Sequence, residues 1–234
     1  ITNKNKMILV VGGSKGLGLE IAKIFSETKK VKVIGRTFET FPAISSVEKI
    51  NLDLLNDLEY EDLDKKFTND SFEAVFFTLG LINKEDNIFL ESNEIDKIIK
   101  TNFSSIVKFT QFLIDKKKLK TNCLICFCSS VTTFYSRDKQ IIYAASKNAL
   151  NSYVNSLRFH VQKNKLNLRI SNLILGYLDS NMSNLNYSAP LQKFSNKKLA
   201  MYIFNNHKSL KTNKIIPSYW IILKIILKFL PIKL

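Results

Sequence analysis

The chain has 234 residues, 45% of them apolar and 24% charged, which excludes a disordered tail or a fibre and fits one globular domain with a large core. Its 35 Lys and Arg against 20 Asp and Glu leave a formal charge of +15. The basic residues are scattered, the longest cationic run being Lys116, Lys117 and Lys118, and a drift toward Lys, Asn and Ile is what AT-rich coding produces, so no nucleic-acid partner is expected. Three cysteines and no signal peptide argue against a disulfide-built secreted domain and favour a reducing cytoplasm.

In chain order, Met7 to Val11 is a solid apolar run closed by Gly12, and Leu17 to Thr28 carries Leu17, Ile21, Ile24 and Phe25 at helical spacing. Strand-like runs return at Val31 to Gly35, Val47 to Leu52, Ala74 to Leu79, Cys123 to Cys128 and Leu168 to Leu175. Helical stretches are expected at Asp57 to Lys66, Ile95 to Lys117 and Ile142 to Gln162. Strands that are apolar throughout are buried on both faces, and the intervening helices supply crossovers. The pattern predicts an α/β fold, a single doubly wound Rossmann-type domain whose sheet is mostly or wholly parallel with helices on both faces. Ligands bind such sheets at the carboxyl ends of the strands.

Glycine placement says where. Of seven glycines, Gly12, Gly13, Gly16 and Gly18 sit in one turn between the first strand and the first helix. Gly12 suits a sharp turn, Gly16 a close approach of backbone to phosphate, and Gly18 tight packing of helix on sheet. The helix N-terminus adds free N–H groups and the positive end of a dipole, a combination that suits a dinucleotide pyrophosphate.

The Gly-x-x-x-Gly-x-Gly spacing from Gly12 to Gly18 resembles that of the short-chain dehydrogenase/reductase family, NADP-preferring type. Tyr143 and Lys147 match its Tyr-x-x-x-Lys, Ser130 lies thirteen residues before the tyrosine, Asn102 matches its helix asparagine, Asp53 its adenine contact, and Gly176 to Ser180 its nicotinamide loop. The resemblance runs from Met7 to about Met182. It implies a dinucleotide held by Gly12, Ser14, Lys15, Gly16, Leu17 and Gly18, by Arg36 and Thr37, by Asp53 and Leu54, by Leu79 and Gly80, by Tyr143 and Lys147, and by Gly176, Leu178 and Ser180. It implies the catalytic set Asn102, Ser130, Tyr143 and Lys147, with Asn102 holding a water in a proton relay.

Tyr143 and Lys147 are four apart on an expected helix and share a face, so an ammonium can stand beside the phenol. A phenol of pKa about 10 needs such a charge to exchange protons near neutrality. Ser130 is then expected to hydrogen-bond the substrate oxygen while Tyr143 protonates it. After the second strand the chain reads Arg36 and Thr37, with no acid for a ribose, and Lys15 precedes Gly16. Two cations there favour a 2′-phosphate, hence NADP(H) over NAD(H). Two departures from the family stand out. Thr78 replaces the asparagine that braces the sheet, which puts local rigidity in question. Leu175 replaces the proline before Gly176, which predicts a looser nicotinamide loop.

Cys126 and Cys128 should share one strand face and Cys123 the other, so the three cannot converge on an ion. His160 and His207 have no partner motif and read as surface or helix-end residues, and no metal is expected. The chain divides into a cofactor-binding and catalytic core over 1–182, a substrate-loop region over 183–214, polar and without motif, and an apolar tail over 215–234. From Pro217 to Leu230 the tail is apolar except for Lys224 and Lys228, yet shorter than the roughly 20 residues that span a bilayer. It is expected to pack within an oligomer with occasional access to a membrane-bound substrate, a peripheral contact with the inner face of the membrane being the other reading. Its shape resembles tails of bacterial family members that reduce keto-sugars for surface glycans. The expected activity is thus NADPH-dependent reduction of a ketone to a secondary alcohol, by a homodimer or homotetramer paired through the two long helices. The alternative is a catalytically idle dinucleotide sensor or scaffold.

Overall fold

The apolar run at the start of the chain forms β1 (Met7–Val11), and the periodic segment after the glycines forms α1 (Gly16–Ser26). In this computed structural model, which describes residues 7–56, 59–83, 89–135, 139–179 and 193–229, the alternation continues. It runs through β2 (Lys30–Gly35), β3 (Val47–Asn51), α2 (Tyr60–Lys66), β4 (Phe72–Phe77), α3 (Ser92–Ile99), α4 (Ser105–Asp115), β5 (Leu119–Ser130), α5 (Ile141–Lys163), β6 (Leu168–Leu175), α6 (Asn196–Asn206), β7 (Asn213–Ile216) and α7 (Tyr219–Phe229). The strands form one seven-stranded sheet in the order β3-β2-β1-β4-β5-β6-β7, and every pairing is parallel. The order reverses at β1, whose last residue, Val11, is level with both Ile34 and Phe77. A crevice therefore opens at the carboxyl ends of β1 and β4.

Alternate strand residues feed two cores. Ile8, Val10, Phe76, Leu124 and Cys126 face α1 and α6, while Leu9, Val11, Phe77, Ile125 and Phe127 face α4 and α5. In the second core the rings of Phe77 and Phe127 stack at 5.1 Å, and Phe109 meets Phe77 edge-on. Burying each such side chain stabilises the fold by roughly 1.5–3 kcal/mol. The cysteines divide as expected: Cys126 and Cys128 belong to the first core and Cys123 to the second. Burial pushes the Cys123 and Cys128 thiols up to about 12, so they pack as neutral groups.

Several expectations need correcting. The helix expected as continuous from Ile95 to Lys117 is α3 and α4 joined by a π-helical turn over Lys100–Ser104, which turns Asn102 fully inward. The polar region after residue 182 contains α6 and β7. The buried face of α6 is Leu199, Ala200 and Ile203, and β7 extends the sheet beside β6. His207 does end a helix, but it is buried, its Nδ1 2.6 Å from the Phe204 carbonyl and its ring against Phe25, and burial lowers its pKa. Of the apolar tail, Tyr219–Phe229 forms the helix α7, and residues 230–234 lie outside the described residues. Among the described residues, no helix is long and apolar enough to cross a membrane.

Candidate active site

The carboxyl ends of the strands enclose a cleft of about 570 Å³. Gly12, at φ +86°, turns the chain out of β1, and its N–H and that of Gly13 both donate to the Ile34 carbonyl. A Cβ on Gly18 would lie 2.7 Å from the Gly12 carbonyl oxygen, so α1 packs against its own entry turn only without a side chain there. The first intrahelical donor of α1 is Leu19, to the Lys15 carbonyl. The N–H groups of Gly16, Leu17 and Gly18 have no acceptor within the helix, and its first turn holds no acid. At Gly16 (φ +56°) a Cβ would meet nothing nearer than Asn196 Nδ2 at 4.0 Å, which leaves the cleft open where an anion would approach.

Thr78 turns out to be a brace. Its hydroxyl lies 3.1 Å from both the Val11 and Gly12 carbonyls and its backbone N–H donates to Val11, tying the end of β4 to the glycine turn. Gly176 is held as well, although no proline precedes it. Its N–H donates to the Ile216 carbonyl of β7, and the buried Trp220 indole fills the space behind it.

Ser130 ends β5 and Tyr143 and Lys147 lie on the inner face of α5, all buried and all on the cleft wall. Ser130 Oγ accepts from the Thr132 N–H at 3.2 Å and contacts Thr132 Oγ1 at 3.0 Å. Lys147 Nζ donates to the carbonyls of Cys128 at 3.0 Å and Leu79 at 3.2 Å, and lies 5.9 Å from the centre of the Tyr143 ring. Burial pulls Lys147 down to about 8, which still leaves it an ammonium at neutral pH.

Asn102 is differently placed. Its carboxamide accepts from the Leu81 N–H at 2.7 Å and donates to the Leu81 carbonyl at 2.8 Å and to Ser146 Oγ at 2.9 Å. The side chain is thus committed to protein partners, and Thr101, not Asn102, reaches the cleft wall.

The remaining expected positions divide. Ser14, Lys15, Leu17, Arg36, Asp53, Leu54, Leu79, Gly80, Gly176 and Leu178 line the cleft, with Lys15 and Arg36 both exposed. Gly18 and Thr37 do not line it, and Ser180 lies outside the described residues. Among the described residues no group of three or more His, Cys, Asp and Glu gathers as metal ligands.

A family model described as short chain dehydrogenase matches residues 6–190. The chain belongs to the short chain dehydrogenase family. This is a family of oxidoreductases. The 3-oxoacyl-(acyl-carrier-protein) reductase FabG of Buchnera aphidicola subsp. Schizaphis graminum is 26% identical over 216 residues, covering 84% of each chain. A dehydrogenase/reductase SDR family protein 7-like of Drosophila melanogaster is 25% identical over 193 residues, which are 76% of this chain but only 59% of that longer protein. Two solved structures share the fold. A 4-hydroxyisoleucine dehydrogenase complexed with NADH has a TM-score of 0.80 at 17% identity, covering 92% and 98% of the two chains. A short chain dehydrogenase from Burkholderia cenocepacia J2315 in complex with NADP has 0.78 at 15%, covering 98% and 95%.

The cleft also has residues that the motifs missed. Gln140, in the left-handed region at φ 55° just before α5, and Thr132, which bonds Ser130, both line the wall, and neither belongs to a motif. Asn196, at the start of α6, reaches the cleft opposite Gly16 and donates to the Asp179 carbonyl, joining α6 to the loop after β6. A serine preceding a helical run, Ser195 before Asn196, was a readable cap signal.

Proposed function

We propose that the protein is an NADPH-dependent carbonyl reductase that converts a ketone to a secondary alcohol. The observation that carries this reading is Lys147, a buried ammonium anchored by two backbone carbonyls beside the Tyr143 ring on the same wall as Ser130. The cleft's donors suit a dinucleotide. The N–H groups of the first turn of α1 and the gap at Gly16 would take the pyrophosphate, Asp53 and Leu54 would border the adenine, and Gly176 and Leu178 would border the nicotinamide. Arg36 and Lys15 would pair with a 2′-phosphate.

When bound, the nicotinamide supplies hydride to the carbonyl carbon. Ser130 Oγ–H donates a hydrogen bond to the carbonyl oxygen and polarises it. Tyr143 gives that oxygen its phenolic proton, so the C=O double bond becomes a C–OH single bond and Tyr143 is left as phenolate. Lys147 stabilises the phenolate until solvent returns the proton. Asn102 acts at one remove, holding Leu81 and, through Ser146, the backbone of Tyr143.

Keto-sugars are the first substrate class. β-Ketoacyl thioesters are the second, favoured by the similarity to the Buchnera reductase. The working unit is a homodimer or homotetramer formed through α4 and α5, whose exposed Phe159 awaits a partner. Purified protein with NADPH and a panel of both substrate classes tests the activity, read as loss of reduced-nicotinamide absorbance. Dinucleotide binding with no turnover across the panel would favour a sensor or scaffold instead.

A further inference from the structure

α7 carries two apolar faces, and among the described residues only one is used. Trp220 is 2% exposed and packs with Val131 and Ile174, with Leu223 beside it, and this face attaches the helix to the domain behind the cleft. On the other face Ile221, Ile222, Ile225 and Ile226 are 44%, 63%, 55% and 49% exposed. At 100° per residue these four span an arc of about 140°, a continuous stripe. Stripes of exposed isoleucine are rare on the surface of a monomer, and they mark a docking surface.

We propose that this outward face of α7 docks on an anionic membrane surface. Eleven helical residues extend about 16 Å, half the thickness of a bilayer core, so the helix has the length to lie in the interface and not to cross it. Charge selects the occupant. From Asn213 onward the sequence holds Lys214, Lys224, Lys228 and Lys233 and no Asp or Glu, a local cationic balance that an anionic lipid surface complements. Lys224 is exposed on the same helix, its Nζ 4.9 Å from the ring centre of Phe134, and so brings a cation to the stripe's border. Tyr219, 38% exposed, stands at the helix start, a position suited to the headgroup level. The wide apolar arc that the sequence alone assigned to an oligomer is thus divided, Trp220 and Leu223 turned to the domain and the isoleucines turned away from it.

The test is co-sedimentation of the full chain with vesicles of phosphatidylcholine alone and of phosphatidylcholine mixed with phosphatidylserine, beside the Ile222→Asp, Ile225→Asp double variant. Wild type should partition onto the mixed vesicles and much less onto phosphatidylcholine, and added salt should weaken the binding. The double variant should lose about tenfold or more of that partitioning with its melting temperature and solution mass unchanged. Ile222→Ser gives a milder version should two carboxylates prevent folding. Failure of wild type to bind the mixed vesicles overturns the proposal. So does a fall in the variant's mass, which would assign the stripe to a second copy of the chain.

Discussion

Asn102 Nδ2 donates to Ser146 Oγ at 2.9 Å, and the same hydroxyl donates to the Tyr143 carbonyl at 2.7 Å. Two hydrogen bonds thus link the π-helical turn before α4 to the turn of α5 that presents the tyrosine. Asn102→Ala should leave the Leu81 N–H and carbonyl unsatisfied and cost about 2 kcal/mol of stability, read by denaturant unfolding. Turnover should fall while substrate affinity changes little, because the side chain positions Tyr143 without touching substrate. An unaltered melting curve would show that the link carries no load.

Tyr143→Phe removes the proton donor and keeps the ring. Turnover should fall by about 10² to 10⁴, with NADPH affinity nearly intact by fluorescence titration. Lys147→Ala should damage both rate and affinity. A variant that loses rate alone would separate the ammonium from the cofactor.

Lys147 also sets a pH dependence. Its folded pKa of about 8 lies below the ordinary lysine value, so both states hold the proton below pH 8 and only the unfolded chain holds it between about 8 and 10.4. Stability should therefore rise with pH across that window, by roughly 3 kcal/mol at about 1.4 kcal/mol per unit. Chemical denaturation of wild type beside Lys147→Met isolates the effect, since the variant lacks this contribution while other titrating groups remain. The rate for carbonyl reduction should move the other way, with kcat/KM falling as the ammonium is lost above pH 8.

Arg36→Asp replaces a cation on the cleft wall with a carboxylate. Affinity for NADPH should drop and the preference move toward NADH, measured as the ratio of the two dissociation constants. An unchanged ratio would place the 2′-phosphate elsewhere.

Much of this architecture was legible in the sequence because its strongest signals are local. β1 is an uninterrupted apolar run that ends where the run ends, and β6, though broken by Arg169, Ser171 and Asn172, occupies the expected Leu168 to Leu175. The glycine turn was readable because Gly12 and Gly18 meet steric demands that other residues fail. What escaped was set by tertiary context. β7 begins with Asn213 and Lys214 and is only half-buried, so no apolar run announces it. α6 hides a short apolar face, Leu199, Ala200 and Ile203, among lysines and asparagines. The π-helical turn adds one residue to a helix whose apolar spacing it barely disturbs. The duty of Asn102 could not be read at all, since Leu81 and Ser146 are brought to it only by folding. Thr78 was visible as a departure, but its bond to the Gly12 carbonyl depends on the close approach of α1 that Gly18 permits.

The chain holds a single tryptophan, and the fold puts it on the far side of Gly176 from the cleft. Trp220 is buried and its Nε1–H finds no acceptor among the described residues, so its emission is governed by packing and by whatever polar group comes near. The protein is therefore labelled by its own sequence with one chromophore, one glycine away from the chemistry. A reduced nicotinamide bound on the other side of that backbone should quench the indole by energy transfer. Binding at that backbone becomes an optical signal that needs no added dye.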